Sequence, residues 1–114
     1  MTEVDFKKLK FNPFKLLGKE WMLLSAGNEQ DGCNTMTISW GHLGCIWGNN
    51  DPTAVVYIRP SRYTKTFVDK EDYFTLCVMD ASFKKQMAYP MRDLHTMYVG
   101  KIEKILVRDD EYLV

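Results

Sequence analysis

Neither sign of charge predominates in this 114-residue sequence: lysine plus arginine total 15, and aspartate plus glutamate total 15. A chain so balanced projects no long-range field toward nucleic acid or an anionic membrane, so any anion it recognises must be met by a local group of residues. Cysteine is scarce. Cys33, Cys45 and Cys77 form an odd set with no CxxC spacing and no histidine pair beside them, which indicates neither a disulfide framework nor a metal site. Free thiols fit a reducing compartment. Met1 to Lys10 carries scattered charges and no apolar run long enough for a leader or a membrane span, so the expected location is the cytoplasm. Also missing are a GxGxxG strand-turn-helix for a nicotinamide domain, a Ser/His/Asp set, paired catalytic carboxylates, internal repeats and low-complexity tracts.

What the chain does have is apolar mass. Hydrophobic residues make up 46% and aromatic residues 13%, enough for a dense core, a subunit interface or both. The length fits one domain, burying about 65% of the surface its unfolded form exposes.

Turn residues cut the sequence into short apolar pieces. Phe6, Leu9, Phe11 and Phe14 sit among lysines before Pro13 and Gly18 intervene, which reads as an amphipathic lead-in arm and not a long helix. Trp21 to Ala26 reads as a buried strand, Gly27 to Gly32 as a turn-rich link in which Asp31-Gly32 supplies a hairpin dipeptide that tolerates positive φ, and Asn34 to Trp40 as a second strand. Gly41, Gly44 and Gly48 mark a segment of close backbone approach or a bulge. Asn49 to Pro52 is a turn, and Ala54 to Arg59 is β-branched and continuous, as a central strand would be. Ser61 is placed to cap a short helix with Tyr63 and Phe67 on one face. Tyr73 to Met79 returns to strand, Ser82 to Ala88 has a helical composition, and Leu94 to Val107 reads as one long or bent strand around Gly100. Strands outnumber helices, which predicts a small antiparallel barrel.

The most informative run is Arg59-Pro60-Ser61-Arg62-Tyr63-Thr64, which closes an apolar strand. Two guanidiniums and several hydroxyls around one proline offer fork-shaped and neutral donors to a single oxyanion, most naturally a phosphate. The competing reading of Arg59 and Arg62 is a pair of surface or interface salt bridges. Upstream, Asn34-Thr35-Met36-Thr37-Ile38-Ser39-Trp40 alternates small hydroxyls with apolar side chains, so one row can face a ligand while the other enters a core. Ordinary cross-strand pairing explains Thr35, Thr37 and Ser39 equally well on composition. Trp40 flanks a ligand or fills the core, and Trp47 is assigned to packing. Together the two segments point to a flat, phosphate-bearing cofactor.

In order and spacing, Asn34 to Gly41, Leu43 to Gly48 and Arg59 to Thr64 resemble the successive motifs of the flavin reductase-like, FMN-binding split-barrel family. Tyr89-Pro90, Asp93, His95 and Met97 to Ile102 resemble its last barrel segment more loosely. The resemblance implies a mainly β fold with short helices, a small antiparallel split barrel, in one domain over residues 1–114. The family's insert, which adds phosphate contacts and covers the flavin, is missing between about residues 88 and 89. It further implies FMN as cofactor, NAD(P)H as co-substrate, and a homodimer whose interface uses the lead-in arm and the barrel face near Trp40. The residues it assigns to FMN are Asn34, Thr35, Met36, Thr37, Ser39, Trp40, Arg59, Ser61, Arg62, Tyr63 and Thr64. His95, beside Asp93, reads first as a satisfied barrel histidine and second as a catalytic candidate. The implied activity is flavin reduction by NAD(P)H. A flavin or small-ligand binder without turnover is the alternative. A base-stacking oligonucleotide-binding barrel is a third reading that the charge balance disfavours.

Overall fold

The computed structural model describes residues 1–48, 51–78, 96–107 and 113. The segments around His95, Asp93, Tyr89-Pro90 and Ser82 to Ala88, together with Asn49 and Asn50, lie outside the described residues.

Strands dominate, and all pair antiparallel. Among the described residues these are β1 (Thr2–Glu3), β2 (Met22–Asn28), β3 (Gly32–Ile38), β4 (Gly41–Gly44), β5 (Thr53–Ile58), β6 (Thr75–Val78), β7 (Thr96–Lys101) and β8 (Leu106–Val107), with one short α-helix, α1 (Thr64–Val68), between β5 and β6. They form two three-stranded sheets, ordered β3-β2-β6 and β4-β5-β7, and a two-stranded ribbon of β1 and β8. The fold is mainly β, and no closed barrel is found among the described strands. Among the described residues no helix is long and apolar enough to cross a membrane.

The first hairpin follows from its loop. Asn28 pairs with Gly32, leaving three residues whose turn is built on Asn28: its Oδ1 accepts from Gln30 N at 2.9 Å and Asp31 N at 2.7 Å. Gly32, the first residue after that loop, takes the left-handed region at φ 79°, which glycine adopts without a Cβ penalty. Alternation then puts Met22, Leu24 and Ala26 of β2 and Met36 and Ile38 of β3 into the core.

β5 is the central strand of the second sheet. Val56 and Ile58 are fully buried, and they join the same core as β2 and β3. On one flank β4 approaches so closely that a Cβ at Gly41 would stand 2.5 Å from the Val55 carbonyl oxygen. On the other flank Val56 pairs with Tyr98 and Ile58 with Thr96 of β7. Leu16 and Leu17 close the core from a π-helical segment, Lys15–Glu20.

Several boundaries differ from the sequence reading. Trp21 does not open β2, because it takes φ 66° and ends the preceding helical segment, its indole nitrogen donating to the Gly18 carbonyl at 3.2 Å. β3 stops at Ile38, so Ser39 and Trp40 form the link into β4. The expected long strand after residue 94 divides in two. Ile102 N still donates to Pro52 O at 2.8 Å, after which the chain leaves the sheet and β8 pairs with β1. The lead-in arm is accordingly held by β1 and by Val4 N donating to Ile105 O at 3.0 Å, and it contains a 3-10 turn at Phe6–Lys8.

The close approach at Gly41 generates a direct test. Gly41→Ala forces backbone apart and is expected to lower unfolding free energy in urea by about 1–3 kcal/mol, the usual range for overpacking. Gly18→Ala meets nothing within 4 Å inside a helical segment. It should be neutral or stabilising by up to about 1 kcal/mol.

Candidate functional site

The end of β5 turns back on itself. Arg62 N donates to Arg59 O at 3.0 Å, making a β-turn with Pro60 at the position where its fixed φ is favoured. The turn runs straight into α1, where Lys65 N donates to Arg62 O at 3.1 Å and Thr66 N to Tyr63 O at 3.1 Å. Tyr63, not Ser61, occupies the cap position of this helix, and no side chain caps it. Tyr63 and Phe67 share a face as expected, with rings perpendicular and centroids 5.1 Å apart.

Arg59 and Arg62 come together in one shallow concavity. It measures about 250 Å³ including the space open to solvent, and is lined by Met36, Ile38, Ser39, Trp40, Tyr57, Arg59 and Arg62. Arg59 is the buried charged residue of the described chain, 7% exposed. Burial fixes its direction and strengthens any charge interaction it makes, because less water screens it. Trp40 is 54% exposed, an indole presented to solvent at the rim. Tyr57 lies on the same face of β5 as Arg59, with His42 packed edge-on against its ring at 5.8 Å. The concavity is therefore lined by both cationic and aromatic side chains.

The FMN-assigned residues divide into two groups. Met36, Ser39, Trp40, Arg59 and Arg62 meet in the concavity. Thr35 and Thr37 alternate away from it, and the Thr35 hydroxyl bonds Ser25 Oγ across the sheet at 2.7 Å. Asn34 and Thr64 bond each other, Nδ2 donating to Oγ1 at 2.9 Å, with Thr64 buried. That bond ties the start of α1 to β3. Ser61 and Tyr63 are exposed on the turn. Two lining residues, Ile38 and Tyr57, were not among those assigned from sequence. Tyr57 was recoverable, since it stands two residues before Arg59 on a strand.

Behind the turn lies a polar bridge between α1 and β7. Tyr98 Oη donates to Asp69 Oδ1, and Lys65 Nζ donates to Asp69 Oδ2 at 2.6 Å. Hydrogen bonds from Lys65 and then Tyr98 hold the Asp69 carboxyl below its ordinary range. The bond to Asp69 raises Lys65, while partial burial and then the same carboxylate raise the Tyr98 phenol. Among the described residues no group of three or more His, Cys, Asp or Glu side chains is arranged to hold a metal ion. Cys33, Cys45 and Cys77 are exposed and form no disulfide.

No family model, curated protein or solved structure matches this chain.

The bridge has a pH signature whose sign follows from the shifts. A lowered Asp69 contributes stability that is present above the unfolded carboxyl pKa and is lost as pH falls through the folded value. Raised Lys65 and Tyr98 contribute stability that is present below their unfolded values and is lost as pH rises through the folded ones. The stability gap between wild type and Asp69→Ala, measured by urea unfolding, should be widest from about pH 5 to 9. It should narrow below about pH 4 and above about pH 10.

Proposed function

We propose that this chain is a flavin reductase-like protein of the split-barrel type, cytoplasmic and homodimeric, which binds FMN and passes hydride to it from NAD(P)H. The observation that carries the reading is the meeting of Arg59 and Arg62 with Trp40 and Tyr57 in one concavity. The cationic forks suit a phosphate, and the aromatic and apolar side chains suit a flat ring. The motif order from Asn34 to Thr64 supports the same assignment.

Bound flavin would supply the redox chemistry, taking hydride from a nicotinamide. The protein's part is to bind and orient. Arg59 and Arg62 would hold the phosphate through charge-assisted bonds, with Ser61 and Thr64 close by in sequence on the turn and the start of α1. Trp40 and Tyr57 would flank the ring, while Met36 and Ile38 keep water from its inner edge. Such chemistry requires no side-chain nucleophile, in keeping with the sequence.

The concavity is shallow and its volume includes space open to solvent, so a single chain does not enclose a cofactor-sized ligand as most such sites do. A second copy of the chain, seated against the exposed face near Trp40, would complete the enclosure. Sedimentation at micromolar concentration should therefore report a dimer, and a strict monomer would remove the shared site. The shallow concavity also favours a second reading, a flavin or small-ligand binder without turnover. FMN-dependent oxidation of NAD(P)H by the purified chain separates the two.

Arg62→Ala tests the anion site. It should weaken FMN roughly ten- to hundredfold, about 1.5–3 kcal/mol, while leaving riboflavin nearly unchanged, because only FMN carries the phosphate. Equal losses for both ligands in fluorescence titrations would place Arg62 away from the phosphate.

A further inference from the structure

A five-residue helix is too short to hold its own shape, so α1 depends on what anchors it. Its start is anchored by Asn34 to β3, and its end by Asp69, which accepts from Tyr98 on β7 and from Lys65 one turn back. Tyr98 in turn pairs with Val56 of β5. Three residues beyond Val56 stands Arg59, where the turn begins. The chain thus forms a closed ring: from Val56 along β5 to Arg59, through the turn to Arg62, down α1 to Asp69, across to Tyr98 and back to Val56. Every link in the ring is backbone or sheet pairing except one. That one is the bond between the Tyr98 hydroxyl and the Asp69 carboxylate.

We infer that Tyr98 is a positioning residue for the two arginines of the concavity, and that it sets the preference for a phosphorylated over a non-phosphorylated ligand by fixing the Arg59–Arg62 turn through Asp69 and α1. The inference rests on the proposed FMN reading and adds a residue that lines no part of the concavity. Closing a ring removes freedom from everything within it. Two guanidiniums held at fixed separation bind an oxyanion more tightly than two that must be ordered on binding. A ring-shaped ligand portion over Tyr57 and Trp40 gains little from the same constraint, because Tyr57 is already held by the pairing of β5 with β4 and β7 on either side and Trp40 lies outside the ring.

Tyr98→Phe keeps the aromatic ring and removes only the hydroxyl. Titrating full-length wild type and variant with FMN and with riboflavin should show the FMN-to-riboflavin affinity ratio falling several-fold, with riboflavin affinity retained. The decisive arm is the same substitution in an Arg62→Ala background. If Tyr98 acts through the turn, it should have little further effect there, whereas a general loosening of the fold would lower both ligands and add to the Arg62 loss. Asp69→Asn keeps an acceptor for Tyr98 and should preserve the ratio, while Asp69→Ala should reproduce Tyr98→Phe and carries the test if that variant fails to fold. A wild-type preference for FMN that Tyr98→Phe and Asp69→Ala both leave intact overturns the positioning role alone. Wild type that binds FMN no better than riboflavin overturns the phosphate site and this inference with it.

Discussion

The burial of β5 is the constraint on which the rest depends. Its apolar residues are covered on the core side by β2, β3 and the Lys15–Glu20 segment, and its edges are filled by β4 and β7. A strand paired on both sides cannot slip by one residue without turning every side chain to the wrong face. Register therefore fixes where Ile58 ends and Arg59 begins, and so fixes the height at which the turn leaves the sheet. Arg59 owes its burial to that height.

The turn and α1 then answer a local problem with distant residues. Backbone bonds from Arg59 to Arg62 and from Arg62 to Lys65 define the path, but one helical turn has little stability of its own. Thr64 and Val68 are buried, and Asn34 and Tyr98 reach in from different sheets. Two sheets that share a core thus also share custody of the helix between them. The concavity lies at that junction, with walls contributed by the end of β3 and the end of β5.

Much of this was legible from residue order. The β-branched run of β5, the proline after Arg59, the Asp31-Gly32 hairpin and the pairing of Tyr63 with Phe67 are local features, and local sequence encodes them. Features that needed a third dimension were not legible. Trp21 takes a backbone conformation unusual for a bulky residue, which no pattern of hydrophobicity announces. The stretch after Gly100 alternates as though it were one strand, yet β8 finds its partner in β1 at the other end of the chain. The hydroxyl row of β3 and the row that lines the concavity are equally plausible from alternation alone, and cross-strand bonding to Ser25 decides for Thr35. Tyr98 and Asp69 meet only after β7 has paired with β5.

Sheet connectivity has a kinetic consequence. The β2–β3 hairpin pairs residues close in sequence, whereas Leu24 pairs with Leu76 and Val56 with Tyr98, partners far along the chain. Contacts of that kind slow folding, since loop closure precedes the pairing that rewards it. The arginine turn precedes in sequence the strand, β7, that completes its geometry. A ligand that bound this geometry would find no partner before β7 pairs with β5, and its binding energy would go to the folded state alone.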